Sequence, residues 1–146
     1  VAMNSASMPL SLQYIGFWVS IISLLLTFLT FIATINVRKN IIHRQERETF
    51  KNNFNTIEGK FLGFINSIME DKIYSSSGAE SFQFNILQFL VDTETAFSFL
   101  SLRIKFKILF LKRTLKKSNL DAKTWKNVAQ RLTVLKNLLR KEKSVL

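Results

Sequence analysis

The chain has 146 residues, a formal net charge of +11 and no cysteine, which excludes disulfide frameworks and thiolate metal sites. About 109 residues follow the one long apolar segment, enough for a single small domain. One proline, four glycines and fourteen phenylalanines favour long helices with a packed interior over a disordered tail.

Residues 14–37 contain no charged side chain and are long enough to cross a bilayer once. Residues 1–13 are also uncharged, whereas Arg38 and Lys39 follow the apolar run immediately. Because cytoplasmic flanks hold the excess of Lys and Arg, we expect residues 1–13 to be an extracytoplasmic tail and the rest to be cytoplasmic. The lack of a basic start argues against a cleaved signal peptide.

Small and hydroxyl-bearing residues recur at spacings of three and four inside this segment. On a helix they share one stripe, the spacing that keeps a seam facing a neighbour in a left-handed supercoil. The stripe consists of Gly16, Ser20, Ser23, Thr27, Thr30 and Thr34. We expect it to be an oligomer seam between copies of the helix. The alternatives are a polar pore lining in a ring of copies, and hydroxyls that merely bond back to carbonyls of their own helix.

Residues 38–49 are mostly charged and are predicted to form a solvated stalk before a cytoplasmic helical domain at 50–146. Apolar residues at helical spacing then predict an amphipathic helix that ends near Lys72 and can continue directly from the spanning one. Its apolar face contains Phe50, Phe54, Ile57, Phe61, Phe64 or Ile65, and Ile68. Ser77 and Glu80 resemble a capping box, which would begin the next helix near Gly78 or Ala79.

Residues 81–117 have apolar side chains all round a helical wheel, and we predict one helix buried between partners. A short strand over residues 102–110 (LRIKFKILF) is the alternative, because apolar and basic residues alternate there. Asp92 and Glu94 argue against a second membrane span. They point apart on a helix and cannot share a proton, so we expect ion pairs with cations of a neighbouring helix.

A last helix is predicted after Ser118, which forms a plausible cap together with Asp121. Its apolar face contains Trp125, Val128, Leu132, Leu135 and Leu139, and much of the remainder is basic. The chain is therefore predicted to be all-α, with one N-terminal transmembrane helix and a small cytoplasmic helical domain.

The inventory of reactive side chains predicts no catalytic residues, no metal ligands and no cofactor. His43 is the single histidine and lies in the charged stalk, where no further ligands are spaced to complete a metal site. No glycine-rich phosphate loop or serine nucleophile motif is present in the sequence. We expect a protein that is not an enzyme.

The basic excess is concentrated in the last third of the chain, since residues 98–146 carry a net charge of +12. Seven cations lie within fifteen residues, interleaved with Phe106 and Phe110: Arg103, Lys105, Lys107, Lys112, Arg113, Lys116 and Lys117. Such a set can bind phosphates through its cations while rings receive bases. Contact with anionic lipid and a merely solvated basic face are the other interpretations.

The order of one spanning helix, a charged stalk and a basic, phenylalanine-rich domain resembles the small CRISPR-associated transmembrane effectors gated by cyclic oligoadenylate. The resemblance rests on YIGFWVSIISLLLTFLTFIATINVRK and on RIKFKILFLKRTLKK. It implies an antiviral effector in the bacterial inner membrane, a homo-oligomer such as a tetramer, and a nucleotide second messenger as activator. Two other classes remain open, a holin-like pore former and a membrane-anchored scaffold with a lipid-binding basic face.

Overall fold

The computed structural model describes residues 9–70 and 78–146, and within these ranges it contains four α-helices and no strand. The helices are α1 (Leu10–Met69), α2 (Ala79–Ala96), α3 (Leu102–Leu115) and α4 (Ala122–Val145). The prediction of an all-α chain is confirmed. The strand considered over residues 102–110 does not form, because this segment is the first part of α3.

The chain divides into two compact units, the first ending at Ile42 and the second running from His43 to Leu146. The described part of the first unit is almost entirely the N-terminal part of α1. This stretch is long and apolar enough to cross a membrane, and none of it is buried within the chain. By length and composition it is compatible with membrane insertion.

The second unit, called the bundle below, consists of the rest of α1 together with α2, α3 and α4. Phe50 contacts Phe97, and Phe61 contacts Phe89, so α1 and α2 run antiparallel. The helix α3 packs against both α2 and α4. Arg140 of α4 donates a hydrogen bond from Nε to Glu58 Oε1 of α1 at 2.8 Å, which closes the ring of four helices. The result is an up-down-up-down bundle in which α1 and α3 occupy opposite corners.

The core is built from the apolar stripes that the helical periodicity predicts. Phe64 and Ile65 of the face predicted for α1 are partly buried, and the other five residues of that face are buried. The five apolar residues predicted for α4 are all buried. Ring contacts between α1 and α2 are mostly edge-on, as in the Phe61–Phe89 pair, whose centroids lie 5.0 Å apart at 76°. The core includes Ile86 and Leu90 of α2, Phe97 and Leu100 of the following connection, and Ile104, Ile108, Leu111 and Leu115 of α3.

The segment predicted as one helix over residues 81–117 is in fact two helices, because the chain turns at residues 97–101. Ser98 Oγ donates to Glu46 Oε2 at 2.7 Å, and Phe99 N donates to the same oxygen at 3.3 Å. A carboxylate of α1 therefore satisfies polar groups of this turn, while Phe97 and Leu100 remain in the core. The predicted burial on all sides is also wrong. Ile86, Leu90 and Ile104 lie in the core, whereas Phe84, Val91 and Leu102 of the opposite side are exposed.

The start of α4 differs in detail from the prediction that paired Ser118 with Asp121. Asp121 is itself the N-cap residue, and its Oδ1 accepts a hydrogen bond from Thr124 N at 2.9 Å. Hydrogen bonds from the side chain and from the backbone N–H of Thr124 hold the pKa of Asp121 below its ordinary value of 3.8. The helix α2 begins at Ala79 after Gly78, as expected, while Ser77 of the predicted capping box lies outside the described residues.

Candidate anion-binding site

The rotation of α3 in the bundle determines where its cations lie. Its buried stripe is Ile104, Ile108, Leu111 and Leu115, so the basic residues are distributed over the other three sides of the helix. The seven cations predicted as one ligand site are therefore not brought together. Lys105 and Lys112 make contacts within the bundle, and Lys107 faces α4. The other four are exposed on the outer side of α3 or at its C-terminal end: Arg103, Arg113, Lys116 and Lys117.

Two of the seven cations make contacts within the bundle. Lys105 donates from Nζ to the carbonyl oxygen of Ser98 at 2.6 Å. Lys112 forms an ion pair with Glu94 of α2, and both side chains are partly buried. The expectation that Glu94 pairs with a cation of a neighbouring helix is met by this contact, while Asp92 accepts a hydrogen bond from Gln88. Lys105 and Lys112 thus hold α3 in place and are poorly available to a ligand.

Lys116 and Lys117 lie at the C-terminal end of α3, beside a shallow concavity. Gln83 of α2 donates from Nε2 to the carbonyl oxygens of Leu115 and Lys117, which satisfies two terminal acceptors of α3. Glu80 lines the same concavity, so its carboxylate opposes the binding of an anion there. This end of the bundle is a weaker candidate site than the groove between α3 and α4.

The groove between α3 and α4 combines cations, an aromatic ring and amides, and its volume is about 480 Å³. Its lining residues are Lys107, Phe110, Asn127, Gln130, Arg131 and Val134. Among the described residues that line the groove none is acidic, so none of them neutralises the two cations. The ring of Phe110 is 54% exposed and is open to stacking by a planar group.

Two groove residues are already positioned relative to each other, since Arg131 donates from Nε to Asn127 Oδ1 at 2.9 Å. This bond engages Nε of the guanidinium and leaves its terminal nitrogens for a ligand. It also leaves the amide nitrogen of Asn127 free to donate. A ligand that carries both anionic oxygens and a ring with polar edges would match this arrangement.

Sequence reasoning placed Lys107 in the site and missed the contribution of α4. Arg131 was read only as part of the basic face of the last helix, and Asn127, Gln130 and Val134 were not singled out. These four residues are spaced three, one and three apart, which puts them on one side of a helix. That spacing, which puts these residues next to the apolar face of the helix, was the sequence signal from which their contribution to the site could have been predicted.

The predicted seam lies on the exposed surface of the N-terminal part of α1. Ser20 Oγ donates to Gly16 O at 2.9 Å, and Thr27 Oγ1 donates to Ser23 O at 2.8 Å. Thr30 and Thr34 donate in the same way to carbonyl oxygens one turn earlier, each at 2.8 Å. Back-bonding, the simplest of the three interpretations, is therefore present in these four side chains. The hydroxyl oxygens can still accept hydrogen bonds from a neighbour.

Among residues 9–70 and 78–146, no group of three or more His, Cys, Asp or Glu side chains is placed to hold a metal ion. Comparison with known proteins gives no further assignment. No family model matches the chain, and no curated protein or solved structure shows significant similarity to it.

Proposed function

We propose that this chain is an oligomeric single-pass membrane effector whose bundle binds a small anionic nucleotide and thereby perturbs or opens the membrane. Its apolar segment would cross the bacterial inner membrane with the N-terminus outside, as the basic residues after it favour. The ligand proposed first, by the resemblance described above, is a cyclic oligoadenylate. Such a ligand would act in antiviral defence.

The observation that carries the proposal is the composition of the groove between α3 and α4. Lys107 and Arg131 offer positive charge for phosphate oxygens, and Phe110 offers a face for a base. Asn127 and Gln130 add amides that can pair with the polar edges of a base. The volume of about 480 Å³ lies within the range of small-molecule sites, about 300 to 1,000 Å³.

Two further observations support the membrane and oligomer parts of the proposal. The large apolar side chains of the N-terminal part of α1 are not buried, and Phe17, Leu24 and Phe28 are 60% or more exposed. Small and hydroxyl-bearing side chains are concentrated on one stripe of the same stretch, where copies of a membrane helix can approach closely.

Ligand binding can drive such a device only if the ligand prefers one packing of the oligomer over another. A nucleotide that binds the groove more tightly in the open packing shifts the population toward that packing by its difference in affinity. In a ring of copies, several grooves would be occupied around one axis, which would make the response to ligand steeper.

A binding experiment tests the ligand. The full chain in detergent is titrated with cyclic and linear oligoadenylates at physiological salt, and affinity is measured by calorimetry. The double variant Lys107→Gln, Arg131→Gln is compared with Lys123→Gln, Lys126→Gln, which removes the same charge from exposed positions of α4. We expect the groove variant to lose about tenfold or more in affinity, because charged hydrogen bonds to phosphate are lost.

An equal loss in both double variants would contradict a site in the groove, because it would report only the overall charge. Absence of binding by every oligonucleotide would contradict the nucleotide ligand. Binding that disappears between low and physiological salt would point to unspecific phosphate contacts.

The output is tested separately by expression in bacteria with a reporter of membrane potential. An effector depolarises the membrane only when the ligand is supplied, a holin does so constitutively, and a scaffold does not. The variant Ser23→Leu, Thr27→Leu, Thr30→Leu should abolish the response if the seam is needed. Leu24→Ile, Phe28→Leu, Phe31→Leu is the matched control, since it alters three apolar positions outside the seam.

A further inference from the structure

The outer side of α3 presents a row of large apolar side chains to solvent. Leu102, Phe106 and Phe110 follow one another at a spacing of four, and they are 72%, 58% and 54% exposed. They lie on the side opposite the buried stripe that ends at Leu115. Single exposed apolar residues are ordinary in proteins, but a row along one helix face marks a surface that is covered by something.

Cations surround this row. Arg103 and Arg113 are exposed, and helical spacing puts them on the same side of α3 as Phe106 or at its edge. Lys117 is exposed just beyond the C-terminal end of the helix. The helix contains five basic residues and no acidic one among its 14 residues. An apolar row with a basic surround, all on one exposed helix face, is the composition of helices that lie in the headgroup region of anionic bilayers.

We propose that the outer face of α3, formed by Leu102, Arg103, Phe106, Phe110 and Arg113 and extended by Lys117 just after the helix, docks on the anionic phospholipid surface of a bilayer. The rings enter the boundary between headgroups and acyl chains, and the cations contact lipid phosphates. Charge complementarity selects this occupant. A second copy of the same face would bring identical cations together, and like charges oppose such a contact.

The inference is independent of the nucleotide proposed above, because the face needs no ligand in the groove. Phe110 lies where the face and the groove meet, whereas Phe106 does not line the groove. Phe106 is therefore the position that reports on the face alone. It is also exposed, so a substitution there leaves the packed core intact.

The absence of cysteine from the chain allows a single nitroxide label at a chosen residue. Phe106→Cys is labelled in the full chain, which is reconstituted in lipid nanodiscs at one copy per disc. The control is Asn52→Cys, an exposed position on the outer side of α1 at the opposite corner of the bundle. Power saturation measures the accessibility of each label to oxygen, which concentrates in lipid, and to a water-soluble nickel complex.

In discs of phosphatidylcholine with phosphatidylglycerol, we expect the ratio of oxygen to nickel accessibility to be several-fold higher at residue 106 than at residue 52. In discs of phosphatidylcholine alone, the two labels should give similar ratios. A triple variant of the cations on this face should abolish the difference between the two labels: Arg103→Gln, Arg113→Gln, Lys117→Gln. The control triple variant loses the same charge elsewhere and should preserve the difference: Lys123→Gln, Lys126→Gln, Lys141→Gln.

Equal, water-like ratios at both positions in anionic discs would overturn the inference. A label at residue 106 that is immobilised and protected from both reagents in either lipid would also overturn it, because a protein surface would then cover this face. Transfer of both labels into lipid to the same degree would show unspecific collapse of the bundle onto the bilayer, and would overturn the role of α3.

Discussion

Lys112 of α3 and Glu94 of α2 form an ion pair between neighbouring helices of the bundle, with side chains that are 17% and 31% exposed. A cation counted among the ligand-binding candidates is thus engaged by the fold. Substitution of Lys112 can separate its contribution to the free energy of unfolding from its contribution to ligand affinity.

Lys112→Gln should lower the free energy of unfolding by about 0.5 to 1 kcal/mol, because the partly buried Glu94 loses its partner. Affinity for an anionic ligand should not change, since the ligand would bind elsewhere. Denaturant unfolding followed by the fluorescence of buried Trp125, together with calorimetry, measures both quantities. Lys116→Gln is the control with the same charge change at an exposed position. A larger loss of affinity in Lys112→Gln than in Lys107→Gln would place the site on the α2 side of α3.

Phe61→Ala should destabilise the bundle by about 3 to 5 kcal/mol, because it leaves a cavity where a fully buried ring met Phe89. Phe84→Ala is the matched control, since Phe84 is 62% exposed and its truncation should have an effect within about 0.5 kcal/mol. Urea unfolding of the chain in detergent measures the difference. Similar values for the two variants would show that the bundle core is not packed as described.

Gly59 and Gly63 lie in the helical interior of α1, and a Cβ added at either position would meet nothing within 4 Å. Alanine has the higher helix propensity, so Gly59→Ala and Gly63→Ala should each raise the free energy of unfolding by up to about 1 kcal/mol. Thermal or denaturant unfolding of the single variants checks this. Destabilisation accompanied by a smaller assembly in analytical ultracentrifugation would contradict the prediction, because it would show another helix packed on this side.

Asp121 provides a pH-dependent contribution to the bundle. Its pKa is lowered in the folded chain by hydrogen bonds from Thr124, so its contribution is present above the unfolded pKa of about 3.8 and is lost as pH falls through the folded value. Asp121→Asn keeps an N-cap oxygen but removes the titration. Unfolding between pH 2 and 7 should therefore show wild type and variant converging at the acidic end. A constant difference over the whole range would exclude this contribution.

The sequence predicted best those elements in which local pattern and packing agree. In α4 the apolar spacing from Trp125 to Leu139 identified the buried face correctly, and the apolar spacing from Phe50 to Ile68 did the same for α1. Both helices present one apolar stripe to a core, which is the situation that periodicity describes.

The turn between α2 and α3 was missed because no glycine or proline marks it. Two of its hydrogen-bond donors, Ser98 Oγ and Phe99 N, are satisfied by Glu46, which lies 52 residues before Ser98 in the chain. No local signal reveals such a distant partner. The same limit applies to the candidate site. Which of the seven cations is available to a ligand depends on the buried side of α3, on Glu94 of α2, which pairs with Lys112, and on Arg131 of α4, which lies in the groove with Lys107.

The hydroxyls of the seam have a consequence for any assembly built on them. Four of these hydroxyls already donate hydrogen bonds to carbonyl oxygens of their own helix, namely those of Ser20, Thr27, Thr30 and Thr34. A second helix can receive a hydrogen bond from one of them only after that hydroxyl rotates and gives up its existing acceptor. Each new bond would then replace an old one at little net gain, so as donors these hydroxyls would add little to the affinity between copies.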